Sequence, residues 1–173
     1  MHTRAKLALA VATIALLSTL TAGSAAAAVV TTHLFAQAGP VTMHADLTLA
    51  GAHPAVSGRL SSCVMQPAPT THPRSGIPDK LICTGPNGQK VVMPASAATA
   101  TLAYRLHNSS SHTALRSMTV QIRHNGNVLF VLTARTGTLA IPLSHVAALL
   151  NGHDMLYVQA GRHIHQAAIV QTG

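Results

Sequence analysis

The sequence predicts an all-β fold, a sandwich or barrel of roughly seven to nine short strands. Three observations carry that expectation. Residues 41–49 and 98–106 alternate apolar and polar side chains with a period of two, the spacing of a half-buried strand. Asn125-Gly126 stands before an apolar run, the pair that a tight two-residue hairpin turn favours. Only residues 145–150 read as helical, a helix of about one to two turns.

Residues 1–28 read as a leader rather than as part of the fold. Arg4 and Lys6 precede an apolar run over residues 7–20, and Ser24 with four alanines follows, the order of a secretory signal peptide. Cleavage is expected after Ala28, with Ala26 as the alternative. The apolar run is shorter than the about 20 residues an anchoring helix needs. No cysteine lies near the cut to carry a lipid. A secreted or periplasmic protein is therefore expected, with residues 29–173 as one domain around one core. No later stretch is long and apolar enough to span a membrane.

Without Arg4 and Lys6, nine Lys and Arg face three carboxylates, Asp46, Asp79 and Asp154, for a net charge of +6. There is no Glu, and eleven of the twelve His remain. The cations are scattered singly, and the aromatics are Phe35, Tyr104, Phe130 and Tyr157, with no Trp. Nucleic acid is therefore not an expected partner, since strand-binding surfaces join cation runs to stacking platforms. So few carboxylates leave little for acid to titrate away, which points to an acidic extracellular setting. In an exported chain Cys63 and Cys83 are expected to pair as a disulfide, worth about 3 kcal/mol.

Taken in order, Val41, Met43, Ala45, Leu47 and Leu49 share one face of the first clear strand. Gly51-Ala52-His53-Pro54 ends it, and residues 56–62 suit a second strand. Residues 63–78, with Pro67, Pro69, Pro73 and Pro78, read as an extended loop. Residues 80–84 and 90–93 form a hairpin around Gly85-Pro86-Asn87-Gly88. Residues 63–95 are thus a disulfide-tied loop and hairpin built onto the main sheet. Ala100, Leu102, Tyr104 and Leu106 face inward from the next strand, and a polar loop follows at 107–113. Met118, Val120 and Ile122 share a face before the Asn125-Gly126 turn and the apolar run 128–132. Leu139, Ile141 and Leu143 suggest a strand, Ser144 a helix N-cap, and Asn151-Gly152 the helix stop. Residues 155–159 and 164–171 close the chain as a hairpin turning at Gly161-Arg162, whose last strand is expected to pair back into the sheet.

This order of pieces resembles the chordin-type (CHRD) domain over about residues 41–60 and 98–172. Leu49-Ala50-Gly51-Ala52-His53-Pro54-Ala55-Val56-Ser57-Gly58 is similar to that family's L-S-G-x-x-x-P-P-V segment with its following Gly. Leu102-Ala103-Tyr104-Arg105-Leu106 resembles its central strand. Gln121-Ile122-Arg123-His124-Asn125-Gly126-Asn127-Val128 stands at its His-Ile-His segment and turn. Leu149-Leu150-Asn151-Gly152 and Leu156-Tyr157-Val158 resemble its helix end and its Y-V-N-V-H-T strand, without the late His. The resemblance implies an immunoglobulin-like or superoxide-dismutase-like antiparallel β-sandwich, and brings no settled activity with it.

The most suggestive chemistry is His163-Ile164-His165. Residues two apart on a strand project to one side, so both imidazoles can reach one ion. Copper or zinc needs a third ligand, from His44, His124, His153 or a Met. Met43, Met93, Met118 and Met155 sit in strand patterns, where Met fills core gaps rather than binding Cu(I). The sequence contains no G-x-S-x-G, H-E-x-x-H, C-x-x-C or phosphate-cradling glycine loop. The expectation is a binding or structural module without catalysis or cofactor, its partner a protein or surface ligand. A periplasmic copper or zinc protein using His163 and His165 is the alternative.

Overall fold

The structure, a computed structural model, describes residues 29–53, 56, 58–67, 79–94 and 99–172. The expected signal peptide, residues 68–78 of the proline-rich loop and Ala98 lie outside the described residues. In chain order the strands are β1 (Val29–Ala38), β2 (Val41–Ala50), β3 (Ser61–Gln66), β4 (Lys80–Thr84), β5 (Lys90–Pro94) and β6 (Thr99–Asn108). A 3-10 turn at Leu115–Ser117 leads into β7 (Met118–His124), β8 (Asn127–Val131) and β9 (Thr136–Ala140). Helix α1 (Leu143–Leu150) then precedes β10 (Asp154–Ala160), β11 (His163–Ala168) and β12 (Val170–Thr172).

The strands form an antiparallel β-sandwich. A five-stranded sheet runs β12-β1-β2-β6-β9, a four-stranded sheet β11-β10-β7-β8, and a three-stranded sheet β3-β4-β5. Ten residue pairs join β1 to β2, from Val29 opposite Ala50 to Ala38 opposite Val41, and ten more join β2 to β6. Period two then decides what is buried. Leu34, Met43, Leu47, Leu49, Leu102 and Leu106 line the inner side of the five-stranded sheet, and Val120, Ile122, Leu156 and Val158 that of the four-stranded sheet. Both sets belong to one hydrophobic core with Leu81, Val91 and Met93 of the small sheet and Val146 and Leu149 of α1. Each buried aliphatic contributes about 1.5–3 kcal/mol, so Leu and Met do the work that aromatics do elsewhere.

Besides its share of the core, the small sheet is tied down by two sets of hydrogen bonds among the described residues. His53 exchanges backbone hydrogen bonds with Val92 at 3.0 and 2.7 Å. The Asn151 amide, just past α1, donates to the Cys63 carbonyl at 3.0 Å. Cys63 and Cys83 are bonded to each other, as expected, and both are buried.

Several elements differ from the sequence reading. No strand was expected over residues 29–38, yet β1 is an interior strand of the five-stranded sheet. Residues 56–62 do not make the next strand. It starts at Ser61 and runs through Cys63 to Gln66, part of the expected loop, because a bulge with Ser62 at φ +48° brings Cys63 beside Cys83. The helix starts at Leu143, with Pro142 at the position before it at φ −58° and no side-chain cap from Ser144, which lies inside the first turn. Leu143 is therefore helical, and the strand before it ends at Ala140. The last expected strand is two strands in different sheets, separated by buried Ile169. Gly161-Arg162 does turn the closing hairpin, with Ala160 opposite His163. Asn125 (φ +49°) and Gly126 (φ +81°) adopt the left-handed conformations their turn requires.

Candidate functional site

The outer side of the five-stranded sheet is a grid of short polar side chains. Cross-strand register places Thr31, Thr48 and Thr101 in one row, and His33, Asp46, Ala103 and Thr138 in the next. The row beyond holds Phe35, His44, Arg105 and Thr136, extended at its edge by Val170 of β12. An open groove of about 740 Å³ lies over His44, Asp46, Ala103, Arg105, Thr136 and Thr138. Asp46 accepts a hydrogen bond from His33 Nδ1 at 2.6 Å, with both side chains exposed. The Phe35 ring meets His44 edge-on, centroids 5.2 Å apart. Arg105 lies between His44 and Thr136, and no carboxylate among the described residues is within ion-pair distance of it.

A second polar centre closes one end of the four-stranded sheet. Asp154 starts β10 directly opposite His124 of β7, and its side chain is 2% exposed. His124 Nδ1 lies 2.7 Å from Asp154 Oδ1, and its Nε2 lies 3.0 Å from the Asn125 amide nitrogen. The carboxylate accepts only, so Nδ1 carries the proton shared with it. His145, on α1, meets the His124 ring at a centroid distance of 6.4 Å. Burial raises the Asp154 carboxyl above its ordinary value; the hydrogen bond from His124 and the nearby His145 and His153 pull in the opposite direction. With both ring nitrogens of His124 engaged, this centre joins β7, β10 and the helix end.

The five histidines of interest therefore divide. His44 stands on the outer side of the five-stranded sheet, while His124 hydrogen-bonds to Asp154; His153, like His145, acts on that carboxylate electrostatically. His163 and His165 project together from β11 opposite Ala160 and Val158, and both are exposed. Gly39, at φ +58° in the β1–β2 turn, leaves the space that the His165 ring occupies: a Cβ there would lie 2.5 Å from it. Among the described residues no three His, Cys, Asp or Glu side chains gather closely enough to hold a metal ion. Arg105, His33 and Asp46 on the grid, and Asp154 with His145 at the buried centre, were not singled out by sequence. The usable signal was the scarcity of carboxylates, which made each Asp worth placing.

A smaller groove of about 380 Å³ lies where α1 ends, between Arg59, Ser61, Ser62, His153 and Gln171. Gln171 organises it by donating to the Leu150 carbonyl at 2.7 Å and to the Leu60 carbonyl, and by accepting from Leu60 N at 2.9 Å. No helix among the described residues is long and apolar enough to cross a membrane, and the disulfide is compatible with an extracellular or periplasmic setting. No family model, curated protein or solved structure matches the chain.

Proposed function

We propose that the chain is an exported binding module, resembling a chordin-type domain and without catalysis of its own, that presents the outer side of its five-stranded sheet to a surface ligand. The observation that carries this reading is the open groove over His44, Asp46, Arg105, Thr136 and Thr138. Hydroxyls, imidazoles and a guanidinium stand there in fixed rows on a rigid sheet, the preorganisation that binding favours. The test is a panel of immobilised extracellular polymers, with Ala103→Trp placed to fill the groove and Gln166→Trp on the other sheet as its control. Lost retention for Ala103→Trp alone, at unchanged melting temperature, is expected. Equal retention by both variants would remove the reading. Export is checked separately: the amino-terminal sequence of the secreted protein is expected to begin at Val29.

A metal-binding reading rests on His163 and His165, which share one side of β11. Titration with Cu(II) and Zn(II) decides it. Affinity that survives His163→Ala with His165→Ala assigns any metal elsewhere.

A further inference from the structure

We infer that the ligand of this face is a carboxylate-bearing polysaccharide, with Arg105 holding the carboxylate and the threonine rows holding sugar hydroxyls. The inference rests on the binding-face reading above and narrows it to one ligand chemistry.

Charge gives the first half. Asp46, at the groove, is taken by His33 at 2.6 Å, which leaves Arg105 as a cation with no described carboxylate within ion-pair distance. A guanidinium presents a planar fork that matches a carboxylate with two parallel hydrogen bonds. His44 beside it and His107 further along β6 add imidazole hydrogen-bonding groups to the same face. The chain as a whole has three carboxylates against eleven Lys and Arg, so it offers a polyanion little repulsion.

Shape and hydrogen bonding give the second half. Five strands make a face roughly 20 Å across, with outward side chains repeating about every 7 Å along each strand. Thr31, Thr48 and Thr101 form one row of hydroxyls, and Thr136, Thr138 and Thr172 stand on flanking strands. A hydroxyl both donates and accepts, which suits a polyol better than it suits a peptide side chain. Of the exposed aliphatics that a lipid surface or apolar peptide would use, Val128, Val131 and Ile164 belong to the four-stranded sheet and Val64 to the small one, while Val29 and Val170 stand on β1 and β12 outside the groove lining. The described grid carries one outward Phe, Phe35, set in a T-shaped contact with His44, too few platforms for successive nucleic-acid bases to stack on.

The experiment uses the purified, disulfide-bonded protein and four immobilised probes: polygalacturonate, its fully methyl-esterified form, neutral dextran and dextran sulfate. Retention on polygalacturonate and its loss on esterification are expected. Arg105→Ala should weaken that retention about tenfold to hundredfold, while Arg123→Ala on the other sheet leaves it unchanged. Far-ultraviolet circular dichroism of each variant confirms the fold, and Arg105→Lys, which keeps charge without the fork, should restore only part of the affinity. No retention on polygalacturonate overturns the inference. Retention indifferent to esterification but lost in Ala103→Trp overturns the carboxylate and keeps the face. Retention on dextran sulfate and polygalacturonate that Arg105→Ala does not weaken means diffuse charge alone, and both readings fall.

Discussion

Arg105 on the five-stranded sheet and Arg123 on the four-stranded sheet both project outward from interior strands, yet their surroundings are opposite. The Arg123 guanidinium lies 3.5 Å over the Tyr157 ring, and its Nε donates to Gln121 at 2.8 Å. Tyr157 in turn donates to Gln159 at 3.0 Å. Arg105 has no comparable partner among the described residues, and a groove lies beside it. Arg123, Tyr157, His124 and Asp154 find their partners within the four-stranded layer, whereas Arg105 of the five-stranded layer faces solvent. Polar groups already paired within a sheet add rigidity, and those left open supply recognition.

The difference is best attacked where it is largest. His124→Ala removes the partner of a buried carboxylate and should cost about 3 kcal/mol at neutral pH. Chemical denaturation should register that loss, and ligand retention by the folded fraction should not change. Asp154→Asn sharpens the same point through pH. Burial holds the folded carboxyl above 3.8, so the folded state binds its proton more tightly than the unfolded chain does. The contribution of this group to stability is therefore full below 3.8 and declines as pH rises through the raised value. Melting temperatures across that window should show the decline in the parent protein and a flatter profile in Asp154→Asn. A steeper profile in the variant would reverse the assignment. Arg123→Ala should cost about 1 kcal/mol through the lost stacking and hydrogen bond. Arg105→Ala, the smallest effect, should stay within about 0.5 kcal/mol of the parent. A larger loss there would mean that Arg105 is tied into the fold after all, and the contrast between the layers would disappear.

Strands were legible where one side is buried and the other wet. β2, β6 and β7 alternate cleanly, and their inner residues were named from spacing alone. β1 escaped because its two sides are not distinguished by hydropathy: Val29 and Phe35 face outward, while Thr32 is buried and donates to the Gly58 carbonyl at 3.3 Å. β3 escaped because the bulge at Ser62 interrupts the period. Site chemistry was harder to read. Asp154 meets His124 across 30 residues of sequence, and no local pattern announces that pairing. The isolation of Arg105 is likewise a property of four neighbouring strands, visible only once their register is known. The spacing of His163 and His165 did place them on one side of a strand, but spacing carries no information about a third ligand.

The crossover at Ile169 has a consequence for the order of assembly. The chain leaves one layer at Ala168 and joins the other at Val170, where β12 pairs with β1. The earliest and the latest described strands are thus neighbours, and Gln171 ties that seam to Leu60 and Leu150. During synthesis β1 can zip with β2 early, but its other edge stays open until β12 emerges. Closing it brings Thr172 opposite His33, a contact between strands far apart in sequence, which makes it a late and slow event. Until then β1 is an unprotected edge, available to other chains.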